Sequence, residues 1–371
     1  MSEQRRIIVT LPGEAERAYD VVVGSALIGS AGEHLQEAVG GEALLVVIAD
    51  EVVAGLHGHR LRSALEATET RFLELTVPSG EGSKTREVVA ALQDEAIEAG
   101  ADRESAVLAF GGGVVGDIAG YVAATLYRGV SYVQVPTTLL AMVDSSVGGK
   151  TGVDTKAGKN VIGAFWQPRR VLADVDLLQT LPDEELRAGL GEVIKYGVIL
   201  DDQLFVDLED GLLESCLAKV PDALALIVDR CVRLKAAVVE EDEREGNRRQ
   251  ILNFGHTVAH GVESSQGYSM RHGEAVAIGM VVEARLAERL VGATAGLAER
   301  IGSLCSRAGL PVALPTGCGP ADVLAGARHD KKSRRGMLRC ALAEDIGRMG
   351  ERHGNWSVPV EDDALMEALT G

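Results

Sequence analysis

Short apolar runs, rich in β-branched residues, alternate with helical stretches through the first part of this chain, and that alternation limits the fold more than any single residue does. Ile7 to Leu11 and Tyr19 to Val23 read as a pair of short strands. Ala43 to Ala49, Phe72 to Val77, Ser105 to Phe110 and Ser131 to Val135 read as buried ones. Helical patterns such as Glu51 to Ala67 and Thr85 to Ala99 lie between them. Strands that are apolar throughout and separated by helices specify a parallel sheet covered on both faces. After Thr180-Leu181-Pro182 the period becomes that of a helix, over Glu184 to Tyr196, Asp222 to Glu243, Arg249 to Glu263, Gly273 to Leu290 and Thr294 to Ala308. Strand signals return only at Met337 to Leu342. The expected organisation is an α/β domain over residues 1–180 and a mainly α-helical domain over 181–371, with a cleft between them.

Charge then narrows the partners. Thirty-seven Lys and Arg stand against 55 Asp and Glu, a formal charge of -18. A field of that sign repels nucleic acid and anionic membranes, so neither is expected as a partner, and any anionic ligand has to be held by a local cluster. No apolar run approaches the roughly 18 residues of a membrane span. The residues from Met1 to Thr10 lead into a strand-like run without a signal-peptide core, so a soluble cytoplasmic protein is expected. Five cysteines without CxxC spacing read as reduced, buried thiols.

Three groups of residues could carry chemistry. Gly111 to Asp117 (GGGVVGD) follows a strand, opens a helix and matches GxGxxG. Glycines let a pyrophosphate approach the backbone, and a helix N-terminus offers it N–H donors. The motif is outside the first βα unit and lacks an acidic residue about 20 positions on, so it is not an ordinary dinucleotide fingerprint. Asp50, ending an earlier strand, is a better ribose ligand, although such an Asp is also a common helix cap.

Lysine usage supplies the second signal. The chain holds 28 Arg but only nine Lys, at 84, 150, 156, 159, 195, 219, 235, 331 and 332. Lys150 and Lys159 fall in glycine-flanked segments that read as loops. From Arg128 to Arg170 six basic residues meet two acidic ones, which points to an anion site inside an acidic protein. The third signal is His256-Thr-Val-Ala-His260, two histidines on one helix face, with His272 shortly after. Imidazoles joined by a carboxylate, for which Glu192 is available, make the open-position set of a catalytic zinc.

Taken together these stretches resemble the 3-dehydroquinate synthase family of sugar-phosphate cyclases. The matching runs are Pro78 to Lys84, Gly111 to Asp117, Tyr127-Arg-Gly129, Gln134 to Leu140, Asp144 to Gly152 (DSSVGGKTG), Gly158-Lys-Asn160, Gly191 to Gly197 (GEVIKYG), Leu234-Lys-Ala236, Asn253 to His260 (NFGHTVAH), His272-Gly-Glu274 and Asp330-Lys-Lys332. The resemblance implies a Rossmann-like α/β domain with a mostly parallel sheet followed by a helical domain, NAD held between them, a divalent zinc or cobalt ion, and a homodimer. It implies metal ligands at Glu192, His256 and His272. NAD contacts are implied at Asp50, Glu81, Lys84, Gly113, Val114, Val115, Gly116, Asp117, Thr137, Thr138, Lys150, Lys159 and the turn Leu177, Leu178, Gln179, Thr180. Substrate contacts are implied at Asp144, Lys150, Asn160, Lys195, Lys235, Arg249, Asn253, His260 and one of Lys331 and Lys332, with Arg128 reaching the neighbouring subunit's site. Gly191 stands where the family usually has Ala, and Asp154 where Asn is frequent. Leu338 to Gly347 is more polar than the family's strand there, so the choice between the two lysines stays open.

The activity implied is the conversion of 3-deoxy-D-arabino-heptulosonate 7-phosphate into 3-dehydroquinate and phosphate, in the shikimate route to chorismate and the aromatic amino acids. It proceeds by transient oxidation with NAD, β-elimination of phosphate, re-reduction, ring opening and an intramolecular aldol step. The competing readings are a cyclase for glucose 6-phosphate or sedoheptulose 7-phosphate, a metal-dependent polyol dehydrogenase that would reduce NAD in net turnover, and a binding module without turnover.

Overall fold

A computed structural model of the chain describes residues 4–11, 18–41, 43–156, 158–329 and 337–370. It contains two compact units, Met1–Pro182 with Pro221–Glu240, and Asp183–Val220 with Glu241–Gly371.

The first unit is built on a seven-stranded sheet of β1 (Arg5–Val9), β2 (Tyr19–Gly24), β3 (Leu45–Asp50), β4 (Phe72–Val77), β5 (Ala106–Gly111), β6 (Ser131–Pro136) and β9 (Arg170–Asp174), in the order β1-β2-β9-β6-β5-β3-β4. Only the β1–β2 pair is antiparallel. Residues of β5 are buried without exception, as a central strand covered on both faces requires. Helices α1 (Ala31–Val39), α2 (Glu51–Ala67), α3 (Arg86–Glu98) and α4 (Gly113–Thr125) connect the strands, and α8 (Pro221–Glu241) belongs to this unit as well. A single cut after residue 180 assigns α8 to the other half. Periodicity identifies a helix but not the unit on which it packs.

Three strands of the first unit were hidden in the sequence. The strand β9 carries only five residues. The segment around Lys150 and Lys159 is not a pair of loops but an antiparallel hairpin, β7 (Lys150–Thr155) and β8 (Gly158–Phe165). Its glycines and lysines obscure the alternation that normally marks a strand.

The second unit holds α5 (Asp183–Ile199), α6 (Asp202–Asp207), α7 (Leu213–Leu217), α9 (His256–Ser265), α10 (His272–Leu290), α11 (Leu297–Arg307), α12 (Pro320–His329) and α13 (Asp362–Thr370). Small strand pairs accompany them: β10 (Leu338–Cys340) with β13 (Val358–Val360), and β11 (Ala343–Asp345) with β12 (Arg348–Met349). The helix expected over Arg249 to Glu263 is broken. Arg248–Asn253 forms a tight turn of 3-10 type, Gly255 follows with φ +80°, and α9 starts at His256. The left-handed conformation is one that glycine adopts at low cost, and it redirects the chain just before the first histidine. All five cysteines are free and buried, and burial raises the Cys216 and Cys305 thiols to about 12. Among the described residues no helix is long and apolar enough to cross a membrane.

Candidate active site

Parallel register brings one set of groups to the C-terminal edge of the large sheet. Asp50 pairs with Val77, Ala49 with Phe110, and Gly111 with Pro136, so the ends of β3, β4, β5 and β6 are level. Ligands of open α/β sheets bind at this edge. Gly112 caps α4 with no side-chain hydrogen bond, and no acidic residue occupies the first turn, so its amides stay open to an anion. Thr137, directly after β6, has a buried hydroxyl with no hydrogen-bond partner among the described residues. Thr138 is engaged, accepting from the Ala141 N–H at 3.1 Å. An uncapped helix start beside an unsatisfied buried hydroxyl fits the phosphates of a dinucleotide.

Charged groups cluster nearby. Lys84 is buried, with Nζ 2.6 Å from Asp117 Oδ2 and 3.8 Å from Glu81 Oε1, and Lys159 lies 3.8 Å from the same Glu81 oxygen. Burial opposes the Lys84 charge, but Asp117 and Glu81 outweigh it and raise its pKa. Asp50 acts as the cap of α2, accepting from the N–H groups of Val52 (2.9 Å) and Val53 (3.2 Å) and from the Ser79 hydroxyl. The structure therefore gives this residue the capping role foreseen as its alternative. Past β9, Leu177 and Leu178 are buried, Gln179 and Thr180 are exposed, and the Thr180 hydroxyl is 2.7 Å from His57 Nε2.

Lys235 of α8 reaches Asp144, with Nζ 2.8 Å from Oδ1 and 2.6 Å from the backbone carbonyl. Lys150 is exposed at the start of β7. Asn160 adopts φ +54°, and its N–H donates to Asp154 Oδ1 at 2.8 Å. Arg128 is exposed in a turn where it (φ +68°) and Tyr127 (φ +49°) are both left-handed. Such non-glycine residues cost about 1–3 kcal/mol each and often mark functional positions.

The second unit gathers its own set. Glu192, fully buried on α5, His256, first residue of α9, and His272, first residue of α10, place one ligand atom each within 4.8 Å of the others. Glu192 Oε1 is 3.6 Å from His256 Nε2 and 3.4 Å from His272 Nε2. Two ligands on a tetrahedral metal with bonds of about 2.0–2.1 Å stand roughly 3.3 Å apart, so these spacings fit the edges of a zinc site. Orientation agrees. His256 Nδ1 is 3.1 Å from the Phe254 carbonyl, and His272 Nδ1 is 3.4 Å from Glu263 Oε1, which leaves each Nε2 to face the centre. Without a metal, burial disfavours a charged His272, but its hydrogen bonds to Glu192 and Glu263 and their charges prevail and raise it to about 10. A divalent cation would take the place of that proton.

Close helix packing sets these distances. Gly191, beside Glu192, faces Gly273, beside His272: a Cβ on Gly191 would come 2.7 Å from the Gly273 carbonyl oxygen. Lys195, one turn after Glu192, is buried and ion-paired with it. His260 lies one turn along α9, its ring centroid 5.8 Å from that of His256 and 6.4 Å from that of His272. Arg249 is buried and donates to the Glu243 carbonyl, while Asn253 Nδ2 donates to Glu245 Oε1 at 2.6 Å. Lys331 and Lys332 lie outside the described residues. Sequence reading missed Glu263, although it is seven residues after His256 on the same helix and the helical period could have revealed it.

Comparison with known proteins agrees with these features. Residues 74–188 match the family description "3-dehydroquinate synthase N-terminal", and residues 189–333 match "3-dehydroquinate synthase C-terminal". The chain is 47% identical to the 3-dehydroquinate synthase of Desulforamulus reducens over 90% of its own length and 92% of the relative's. Among solved structures, 2-deoxy-scyllo-inosose synthase complexed with carbaglucose-6-phosphate, NAD+ and Co2+ superposes with a TM-score of 0.88 at 27% identity, covering 98% of this chain and 99% of that one. The 2-epi-5-epi-valiolone synthase of Streptomyces hygroscopicus, with NAD+ and Zn2+ bound, gives 0.86 at 30%, covering 97% and 98%. Fold and site thus define an enzyme with an α/β half, a helical half and a group of three side chains spaced to hold a metal ion. The chain belongs to the 3-dehydroquinate synthase family.

Proposed function

We propose that this chain converts 3-deoxy-D-arabino-heptulosonate 7-phosphate into 3-dehydroquinate and inorganic phosphate, as a phosphate-eliminating cyclase. The observation that carries the reading is the convergence of buried Glu192 with half-buried His256 and His272, in a chain that matches both halves of the family. When bound, NAD accepts a hydride from an alcohol carbon and returns it within one turnover, and a divalent zinc or cobalt ion polarises the oxygen on that carbon.

The chain's own residues divide the remaining work. The open first-turn amides of α4, those of Gly113, Val114 and Val115, hold phosphate oxygens of the dinucleotide, while the Gly116 N–H donates to the Gly112 carbonyl at 3.0 Å. Thr137, Thr138, Glu81, Lys84, Asp117, Lys150, Lys159, Asp50 and the Leu177 to Thr180 turn line the rest of the cofactor. Lys150, Asn160, Asn253 and His260 bind the substrate phosphate, while Lys235 and Arg249 take the carboxylate and hydroxyls, with Asp144 orienting Lys235 Nζ. Lys195 Nζ, beside Glu192, keeps a proton donor next to the ligand carboxylate. A lysine of the 331/332 pair completes the anion contacts.

The working form is proposed to be a cytoplasmic homodimer, without nucleic-acid or membrane partners. Arg128 supports the dimer: it is exposed on a strained turn and makes no ion pair among the described residues, as suits an arginine that completes the neighbour's site.

Incubation with the heptulosonate phosphate, NAD and zinc tests the activity. Phosphate release without accumulating NADH is expected. Net NAD reduction would replace the reading with a dehydrogenase, and turnover only of glucose 6-phosphate or sedoheptulose 7-phosphate would replace it with another cyclase.

A further inference from the structure

We propose that Glu283 is a positioning residue of the metal centre, holding the His256 arm in its ligating orientation by capping α9 from the neighbouring helix. The proposal rests on reading Glu192, His256 and His272 as metal ligands. Glu283 lies on α10, is fully buried, and accepts three backbone hydrogen bonds. Its Oε2 takes the Gly255 N–H at 2.8 Å, and its Oε1 takes the N–H groups of Thr257 at 3.1 Å and Val258 at 3.3 Å.

These donors belong to the start of α9, where N–H groups have no partner within the helix. The residue that normally satisfies them is absent, because the N-cap is Gly255 with no side chain to offer. A carboxylate from 25 residues or more along the chain does so instead, and its charge suits the positive end of the helix. Gly279, one turn before Glu283, makes the reach feasible: a Cβ there would overlap the Gly255 carbonyl, so only glycine lets α10 approach this closely.

The clamp acts on the ligand through the backbone. Fixing Gly255, Thr257 and Val258 fixes the turn that precedes and carries His256. That turn also aims the Phe254 carbonyl at His256 Nδ1 and leaves Nε2 facing Glu192. An isosteric amide cannot substitute. Glu283→Gln keeps one acceptor oxygen, but its amide nitrogen then confronts either the Gly255 N–H or the Thr257 and Val258 pair.

A control sits on the same helix. Glu288 Oε1 accepts the Ala298 N–H at 2.9 Å and so caps α11 in the same manner, without contributing to the turn at His256. The test is zinc affinity of the full chain, measured by chelator competition on metal-free protein, together with thermal stability. Glu283→Gln and Glu288→Gln should both lower the melting temperature. Only Glu283→Gln should weaken zinc binding, by about 10- to 100-fold, the usual loss for an outer-shell partner. It alone should also change the visible spectrum of the cobalt-loaded protein, while Glu283→Asp, which keeps the charge, should lose less. Equal zinc affinity in Glu283→Gln and Glu288→Gln would overturn the proposal. If Glu283→Gln does not fold, Glu283→Asp is compared with Glu288→Asp, and equal affinity there overturns it too. Failure of the unmutated chain to bind zinc would instead remove the metal reading itself, and this proposal with it.

Discussion

The α/β unit and the helical unit prepare for ligands in different ways. At the sheet edge the ligand-ready groups are mostly backbone and loop: the amides that open α4, the Thr137 hydroxyl and the segments that follow β3, β4 and β9. In the helical unit they are side chains from α5, α9 and α10, aligned because glycines let those helices nearly touch. The first arrangement follows from strand register and tolerates changes of side chain. The second depends on helix separations and on what orients each ligand, so single substitutions there should have the larger effects.

The most damaging change should be loss of a ligand in the helical unit. Glu192→Ala or His256→Ala is expected to lower zinc content in proportion and to abolish turnover. Chelation of the unmutated chain should do the same, reversibly by zinc or cobalt. Full metal occupancy in both variants by elemental analysis would break the contrast drawn above, since the ligands would then lie elsewhere.

Next in size comes the β7–β8 hairpin of the α/β unit, which is proposed to meet the substrate phosphate. Lys150→Ala should cost on the order of 2 to 5 kcal/mol in kcat/KM, the range for removing one partner of a desolvated charge pair. Lys219→Ala serves as the control. Lys219 pairs with the largely exposed Asp183 at 3.0 Å, an interaction worth about 1 kcal/mol or less. Equal activities in the two variants would remove the hairpin from the substrate site.

The same contrast explains what could be read from the sequence. β3, β5 and β6 were visible as largely apolar runs, because a strand buried on both faces has few polar positions to confuse the pattern, whereas β4, expected to be buried as well, is the edge strand and exposes Glu74 and Thr76. The β7–β8 hairpin was not, since Lys150, Lys159 and several glycines occupy it. Residue types and spacing pointed to His256, His260 and His272 with Glu192 as an available carboxylate, but the choice of Glu192, His256 and His272 as the three ligands came from resemblance to a family, because 64 and 16 residues separate them and local periodicity carries no distance across such gaps. What supports the ligands was less visible still. The break at Gly255 interrupts what looked like one helix from Arg249 to Glu263, and the Glu283 cap depends on the packing of α9 against α10. Tertiary contacts decide both.

A smaller effect, a recovery of activity, would sharpen the role of the α/β unit's strained turn. If Arg128 completes the partner's site in a homodimer, Arg128→Ala mixed with a Lys195→Ala chain gives heterodimers with one intact site. Random exchange makes about half the dimers mixed, so up to about a quarter of wild-type activity should return from two nearly inactive proteins. Absence of recovery, once exchange is demonstrated by mass, would assign Arg128 to its own subunit.

A last expected effect, one on stability rather than activity, concerns the metal-free helical unit, and its sign follows from His272. Its imidazole is raised to about 10 in the folded chain from an ordinary value of 6.5, because Glu192 and Glu263 favour the cation despite burial. A group whose pKa is raised by folding stabilises the fold fully below its unfolded value and ceases to do so as pH climbs through its folded value. The metal-free protein should therefore lose stability from about pH 6.5 to about pH 10, and His272→Gln should lack that part of the slope. Zinc should reverse the trend over the lower part of the range, because it replaces the Nε2 proton of His272 that faces Glu192 and competes better as protons become scarce. Thermal melts of metal-free wild type, metal-free His272→Gln and zinc-loaded wild type between pH 6 and 10 separate these contributions. Identical slopes in the two metal-free proteins would show that His272 carries no such proton, and that its two carboxylate neighbours are not held as a charged cradle for a cation.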